Sequence, residues 1–262
     1  MKAAPVIPTS PVLEMRGVTA ASRRDAGVVT VEEVNWAVAA GDFWVVGGLH
    51  GSGKSDLLML AGGLTSPAAG ACFFHGRELP VVAEEDLAER LRLGYVFDGG
   101  QLFNQLTVAE NVALPLRYHH NLTEAEAGSQ VERMLASTEL ASWAASTPGA
   151  ITRAGRKRVG LARALMLQPE LLLLDNPLAG LDARERSWWL TFLGGLSRGG
   201  ELTAGKPLTL VVTADDFHPW RNVAGRFAVL KNKRLTVLGG WEQVAAGGGE
   251  LASERSAAPP DV

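Results

Sequence analysis

Short apolar runs alternate along this chain with longer segments in which apolar residues recur at helical spacing. The runs of strand length are Phe43 to Val46, Leu93 to Phe97, Leu171 to Leu174 and Leu208 to Val212. Alternation of this kind predicts parallel strands joined by helical crossovers. Two further runs, Arg226 to Leu230 and Arg234 to Leu238, are separated by Lys-Asn-Lys, and this spacing predicts an antiparallel hairpin.

The middle of the chain has a different pattern. From about residue 104 to residue 163 the spacing is helical and strand signals are few. Within this stretch Thr123 precedes acidic residues and a helical run, which is typical of a capped helix N-terminus. We therefore predict an α/β domain over residues 12–245, with a helical subdomain of about residues 104–163 set into it.

The two ends are predicted to be loose. Residues 1–11 are rich in proline, which predicts a flexible N-terminal segment, and residues 246–262 are mostly small and polar, which predicts a disordered tail. The start of the chain has no continuous apolar core of signal-peptide length, and the sequence contains no run of about 18 apolar residues. These features favour a cytoplasmic protein that reaches a membrane only by binding partners there.

Charge and cysteine content narrow the function class. The formal net charge of -3 gives no general attraction to nucleic acid, so we expect no nucleic-acid partner. The one cysteine, Cys72, excludes an internal disulfide framework and fits a reducing compartment. It lies in an apolar stretch, which predicts a buried, inert thiol.

The segment GLHGSGKS at positions 48–55 matches the GxxxxGK[ST] pattern of a phosphate-binding loop. A strand pattern enters it and a helical pattern leaves it, and glycines let backbone N–H groups form an anion-binding nest at the helix N-terminus. Lys54 would then reach the β- and γ-phosphates of a nucleotide, and the Ser55 hydroxyl would bind Mg²⁺. The candidate nucleotide-binding residues here are Gly48, His50, Gly51, Ser52, Gly53, Lys54 and Ser55.

Two alternatives belong with this motif. One alternative is a glycine-rich turn between a strand and a helix that has no ligand. The flanking strand and helix argue against that interpretation here. His50 stands at a variable position of the pattern, so it is interpreted as a bystander beside the nucleotide. Lys54 is the catalytic candidate of the segment.

Further segments follow the loop in a fixed order. They are SPAAGACFFHGREL, YVFDGGQLFNQLTVAENVALPLR, RKRVGLARALMLQPELLLLDNPLAGLDA and TLVVTADD. In this order they resemble the ATP-binding subunits of ABC transporters, and the resemblance covers roughly residues 12–245. It implies an α/β fold of the ABC-type P-loop NTPases, with a mostly parallel sheet core, an inserted helical subdomain and an antiparallel β portion.

Four positions depart from that family's pattern, and the first two are the glutamate that polarises the attacking water and the switch histidine that would touch the γ-phosphate. Asp175 ends the run LLLL and is placed to hold Mg²⁺ through water, but the next residue, a glutamate in the family, is Asn176. An amide has no basic site near neutral pH, and loss of a general base typically lowers a rate by about 10²- to 10⁴-fold. The family's switch histidine is replaced by Ala214.

The other two departures concern the phosphates. Asp98 stands where the family has a glutamine; its carboxylate is suited to Mg²⁺ but adds negative charge beside the phosphates. The family's signature LSGGQ is replaced by ITRAG at 151–155, so Arg153 takes the place of a glycine that lets backbone approach phosphate. Arg153 either blocks that approach or pairs with phosphate. An alternative is that a solvated helix face is formed by Arg153, Arg156, Lys157 and Arg158.

The resemblance implies ligands and partners. The ligands are ATP and Mg²⁺, with Ser55, Asp98 and Asp175 as the metal ligands. The partners are an integral-membrane permease, bound near Phe103 to Arg117, and a second ATP-binding subunit of the same or a different chain, paired head to tail. The implied location is cytoplasmic, peripheral on the inner face of the cell membrane.

Residues 96–119 are most similar to the subunits of lipid-trafficking importers of the lipid-asymmetry and mammalian-cell-entry-associated type. The predicted function is therefore an ATP-binding subunit of a lipid transporter with slow or absent hydrolysis. The alternative is a fully active motor of such a transporter. A P-loop kinase or GTPase is a third interpretation, which the AGLD loop and the late hairpin disfavour.

Overall fold

The computed structural model describes residues 11–22, 27–80 and 87–246. Of the two ends predicted to be loose, residues 1–10 and 247–262 lie outside the described residues. Within the described part of the chain, no helix is both long enough and apolar enough to cross a bilayer.

The elements follow one another in mixed order. The strands are β1 Leu13–Ala21, β2 Val29–Val38, β3 Phe43–Gly47, β4 Ala69–Phe74, β5 Arg77–Leu79, β6 Leu93–Val96, β7 Leu171–Leu174, β8 Thr209–Ala214, β9 Arg226–Lys231 and β10 Arg234–Gly239. The helices are α1 Lys54–Ala61, α2 Leu87–Arg90, α3 Val108–His119, α4 Glu124–Ser137, α5 Arg153–Leu165, α6 Ala183–Arg198 and α7 Trp241–Ala246. Short 3₁₀ turns lie at Ala141–Trp143, Pro148–Ala150, Glu201–Thr203 and His218–Trp220.

A six-stranded sheet in the order β10-β9-β3-β8-β7-β6 forms the centre of the molecule. Its strands pair in parallel from β9 to β6, and β10 is antiparallel to β9. The predicted parallel strands and the hairpin are thus confirmed. Some bounds differ from the prediction: β6 ends at Val96, before Phe97, and β8 begins at Thr209 and runs to Ala214. Differences of one or two residues at strand ends are usual, because pairing fades there.

Both faces of this sheet are buried, which is why its strands read as continuous apolar runs. Side chains alternate between the faces along each strand: in β7, Leu172 and Leu174 pack into one hydrophobic cluster, while Leu171 and Leu173 pack into the other. The first cluster also receives helices α3 to α6, and the second receives α1 and the smaller sheet. Burying one leucine in this way stabilises the fold by about 1.5–3 kcal/mol.

The smaller sheet is antiparallel, in the order β2-β1-β4-β5, and it is the predicted antiparallel β portion. Cys72 on β4 is buried in the cluster beneath it, as predicted, and Trp36 on β2 is buried in the same cluster. Burial raises the pKa of the Cys72 thiol to about 12, which makes it an inert group at neutral pH.

Helices α3, α4 and α5 lie between β6 and β7 in the chain, in the stretch where the sequence has helical periodicity. Thr107 and Thr123 cap α3 and α4, and each forms a reciprocal capping box, with Glu110 and Glu126 respectively. The boundaries of the helical subdomain, about residues 104–163, stay a prediction.

Candidate functional site

The parallel strands bring several chain segments together at one edge of the large sheet. Strands β3, β6, β7 and β8 all run in the same direction, so the segments after Gly47, Val96, Leu174 and Ala214 leave from the same edge. Crevices at the carboxyl ends of parallel strands are the usual ligand sites of such sheets. Every departure from the family pattern except Arg153 lies at or just after one of these strand ends.

The segment 48–55 links β3 to α1, and its glycines are required by its geometry. Gly53 has a φ of +97° and is the residue before α1, and a Cβ there would lie 2.8 Å from the Thr30 carbonyl oxygen. A Cβ on Gly48 would lie 2.6 Å from the Leu230 carbonyl oxygen. Only glycine fits both positions. The segment therefore has the backbone of a phosphate-binding loop at a helix N-terminus.

Lys54 is the first residue of α1 and is only 7% exposed. Its ammonium donates hydrogen bonds to the carbonyl oxygens of Gly48 and Leu49, at 2.6 and 2.9 Å. Its third close partner is the Asp215 carboxylate, at 3.0 Å. The cation is thus held at the mouth of the loop by oxygens that a phosphate group would replace.

Asp175 and Asn176 leave the end of β7, and Thr213 on β8 fixes both. The Thr213 hydroxyl donates to Asp175 Oδ1 at 2.7 Å and accepts from the Asn176 backbone N–H at 2.9 Å. The Asn176 side-chain amide donates to Asp215 Oδ2 at 2.9 Å. Asn176 therefore presents an N–H donor at the position where a general base would need a free oxygen.

Asp215 lies between two donors. Partial burial alone would raise the pKa of its carboxyl, but hydrogen bonds from Lys54 and Asn176 outweigh burial and lower that pKa below its ordinary value. The group is consequently ionised near neutral pH, and a carboxylate with a lowered pKa is a weak base.

Asp98, two residues beyond β6, is paired with cations from helix α5. Its Oδ1 lies 2.8 Å from Lys157 Nζ and 3.5 Å from Arg153 Nη2. The Lys157 side chain is only 1% exposed, whereas that of Arg153 is 53% exposed. Burial lowers the pKa of the Lys157 ammonium, and the hydrogen bond to Asp98 opposes that shift.

These segments enclose an open cavity of about 750 Å³. Of the residues predicted from the sequence, it is lined by His50, Gly51, Gly53, Lys54, Ser55, Asp98, Asp175 and Asn176. The lining also includes Ser22, Thr30, Asp56, Met59 and Asp215. Gly48 and Ser52 belong to the loop without lining the cavity, and Ala214 is packed in the core cluster at 4% exposure.

Two residues of this region were missed by the sequence reasoning. Asp215 was passed over in favour of Ala214, although a second signal, the consecutive acids of TLVVTADD, was available. Lys157 was assigned to a solvated helix face, and that alternative is wrong for Lys157 and Arg158, which are buried at 1% and 6% exposure. The spacing of four between Arg153 and Lys157 places both on one side of α5, toward Asp98.

Comparison with known proteins bears on this arrangement. The family model described as "ABC transporter" matches residues 31–179, more than half of the chain. The chain belongs to the ABC transporter family. Among curated relatives, a sulfate/thiosulfate import ATP-binding protein of Mycobacterium tuberculosis is 33% identical over 219 residues, covering 84% of this chain and 59% of that protein. A methionine import ATP-binding protein of Caulobacter vibrioides is 34% identical, covering 80% of this chain and 62% of that one.

A spermidine/putrescine import ATP-binding protein of Pseudomonas aeruginosa is 35% identical over 178 residues, covering 68% of this chain and 47% of that protein. The chain thus spans about half to three fifths of the length of these relatives. Among solved structures, a dimeric post-hydrolysis state of the ATP-binding cassette MJ0796 with ADP and Pi has a TM-score of 0.75 at 27% identity. It covers 85% of this chain and 96% of that one.

These likenesses confirm the fold prediction for this ABC family member. The α/β architecture of an ABC-type P-loop NTPase, with mixed sheets, is shown by the structural match and by the strand order together. These relatives are named for sulfate, polyamine and methionine import. None of the three is named as a member of the predicted lipid-trafficking subfamily.

Proposed function

We propose that this chain is an ATP-binding subunit of an ABC transporter that binds Mg-ATP and hydrolyses it slowly or not at all. The observation that carries the proposal is the position of Asn176. It directly follows Asp175 at the end of β7, and its side chain donates a hydrogen bond to Asp215. In this proposal the site keeps the residues for nucleotide binding but has an amide where a base would activate water.

Binding is supported by the phosphate loop. Its two required glycines and the buried Lys54 give the backbone and the cation that a triphosphate needs. Ser52 is the residue between the two last glycines of the loop, and its backbone N–H, with those of its neighbours, belongs to the nest that would bind phosphate.

The donor set also fits Mg²⁺. Ser55 and Asp175 line the cavity and offer a hydroxyl and a carboxylate, the hard oxygens that this ion prefers. Within residues 11–22, 27–80 and 87–246, no three His, Cys, Asp or Glu side chains are grouped to hold a metal by themselves. Mg²⁺ held there with a nucleotide would neutralise phosphate charge. Asp98, the third predicted metal ligand, is already paired with Lys157.

Slow hydrolysis is supported by what surrounds Asn176. The nearest carboxylate to its amide, Asp215, is occupied by Lys54 and Asn176 and has a lowered pKa. At the switch position, Ala214 offers only a methyl group, and that residue is buried in the core. Loss of the base alone lowers the rate by about 10²- to 10⁴-fold.

A permease partner and a head-to-tail second ATP-binding subunit are part of the proposal. We place the permease contact at Phe103 to Arg117 because the family resemblance implies it there. The exposure of Phe103, at 57%, next to the turn that buried Asn111 fixes before α3, supports this. A location on the inner face of the cell membrane follows from such a partner. Lipid as the transported substrate stays a prediction that rests on residues 96–119 alone.

A fully active motor is the second candidate. The observation in its favour is that the relatives at 33–35% identity are named import ATP-binding proteins. This candidate needs a water-activating group that acts in place of a glutamate. Asp215 is the carboxylate it would have to use.

One pair of measurements on the purified chain separates the two candidates. Mg-ATP binding is followed by calorimetry, and phosphate release is followed on the same preparation, with Lys54→Ala as the control in both. The proposal expects saturable, Lys54-dependent binding and phosphate release at or near the background of the Lys54→Ala protein. Rapid release that Lys54→Ala abolishes would establish the motor instead.

A further inference from the structure

Lys157 is a buried cation in the middle of the substituted turns. It lies on α5, one helical turn after Arg153, and its side chain is only 1% exposed. Its ammonium contacts Asp98 Oδ1 at 2.8 Å, the Asn176 carbonyl oxygen at 2.9 Å and the Pro177 carbonyl oxygen at 3.3 Å. An ammonium has three N–H donors, so these partners account for all of them.

The three contacts tie α5 to two strand ends. Asp98 follows β6, and Asn176 and Pro177 follow β7, so a single side chain bridges both turns that border the cavity. Neighbouring contacts also hold α5 against the turn after β6. A Cβ on Gly160 of α5 would lie 2.8 Å from Gly100, and Arg163 donates to the Gly100 and Gln101 carbonyl oxygens at 2.9 Å each. Lys157 also reaches the turn after β7 through two carbonyl oxygens, and in the same segment the Arg153 guanidinium lies beside Gly180.

A buried ammonium needs a counterion. Removing a charge from water is strongly unfavourable unless the charge is paired and hydrogen-bonded. Two backbone carbonyls satisfy donors but do not neutralise charge, whereas the Asp98 carboxylate does both. At the same place the family pattern has a neutral glutamine. The aspartate is therefore matched to the lysine as a pair.

We propose that Asp98 is the counterion of Lys157 rather than a ligand of the nucleotide-bound cation, and that Lys157 is a positioning residue for the turns carrying Asp98 and Asn176. The Oδ1 of Asp98 is shared by two cations, Lys157 and Arg153. This pairing leaves the Asp98 carboxylate without the net negative charge that attracts Mg²⁺. The proposal deepens the proposed function, and its metal arm rests on that function.

Arg153 provides the matched control. It carries the same charge, lies on the same helix and approaches the same carboxylate oxygen. Its contact is longer, at 3.5 Å, and its side chain is about half exposed. An exposed pair contributes little to stability, whereas removing one partner of a buried pair is strongly destabilising.

The first experiment measures thermal unfolding of the nucleotide-free chain. Asp98→Asn keeps the size of the side chain and removes its charge, so Lys157 is left without a counterion. The midpoint should fall by about 5 °C or more, and Arg153→Met should change it by less than about 2 °C. Adding Lys157→Met to Asp98→Asn should recover more than half of the loss. The Lys157→Met variant is measured alone as well. A double variant whose loss equals the summed losses of Asp98→Asn and Lys157→Met would overturn the pairing.

The second experiment measures Mn²⁺ binding in the presence of ATP by electron paramagnetic resonance. Asp175→Asn should weaken Mn²⁺ binding at least about tenfold, and Asp98→Asn should change it less than about threefold. Equal weakening by both variants would overturn the assignment of Asp98 as a counterion. If the unchanged chain binds no ATP at millimolar concentration, the proposed function fails, and the unfolding series still decides the pairing.

Discussion

The phosphate loop and the turns around it lie a few residues from the same sheet edge, yet they differ in what builds them. The loop is made by backbone: two glycines that no other residue replaces, and a lysine held by loop carbonyls. The turns after β6, β7 and β8 are made by side chains: Asp98 with Lys157, Asn176 with Asp215, and Thr213 with Asp175. The first region matches its family pattern at every position, and the second departs from it.

The difference teaches which function each kind of structure supports. Gripping a triphosphate requires N–H groups and a cation, which the loop supplies through its shape. Activating water requires a basic side chain at one position, and a single exchange to Asn176 removes it. The altered turns are held by side-chain contacts, since Asp98, Asn176 and Arg153 each make at least one. These contacts tie together the strand ends that border the site.

The largest effect is expected from a substitution in the phosphate loop. Lys54→Ala should weaken Mg-ATP binding at least about 100-fold, because it removes the charge-assisted hydrogen bonds to two phosphates, each contributing about 1.5–3 kcal/mol. Calorimetry on the purified protein measures this. Lys206→Ala removes an exposed lysine outside the cavity and should leave the affinity unchanged. Tight binding by the Lys54→Ala protein would show that the loop is not the phosphate site.

A smaller effect is expected where a side chain is restored. Asn176→Glu should raise phosphate release by less than about tenfold, although a general base is worth about 10²- to 10⁴-fold. The new carboxylate would lie where the amide now contacts Asp215 at 2.9 Å, and like charges at that distance do not both ionise easily. Asn176→Gln is the control and should change nothing. A full recovery of rate by the glutamate variant alone would show that Ala214 and Arg153 do not limit turnover.

Thr213 tests whether the strand-end turns position the metal ligand. Thr213→Val removes the hydroxyl that orients Asp175 and should weaken Mg-ATP binding about three- to tenfold, a change of about one hydrogen bond. Thr209→Val is matched to it: that hydroxyl is equally buried on the same strand, accepts from the Gly41 N–H, and lies at the other end of β8. Comparable weakening in both variants would mean that strand stability, and not Asp175, sets the affinity.

The smallest effect is a pH dependence of stability. The pKa of Asp215 is lowered in the folded chain, so its contribution is fully present above the ordinary value of 3.8 and is lost as pH falls below that value. Urea unfolding between pH 5 and pH 3 measures this loss. Asp215→Asn should flatten the curve slightly in that range.

What the sequence predicts differs in the same way between the phosphate loop and the turns around it. The parallel strands, the hairpin, the Thr123 cap and the phosphate loop were predicted, because each depends on a local pattern of apolar residues, glycines or capping residues. Asp175 and Asn176 were located because they follow a buried strand directly. The buried state of Lys157 was not predicted, since its counterion Asp98 is far away in the chain and only the packed fold brings them together.

The central claim is that this site holds ATP without cleaving it, and a single-turnover experiment tests it most directly. Excess protein is mixed with γ-labelled ATP and Mg²⁺, and the bound nucleotide is recovered over time and separated from free phosphate. We expect ATP to be recovered largely intact over the first seconds, with cleavage slower than about 0.01 s⁻¹, which is about 100-fold below the lower end of the roughly 1–10³ s⁻¹ of ordinary enzymes. Conversion of the bound ATP to ADP within seconds would contradict the account.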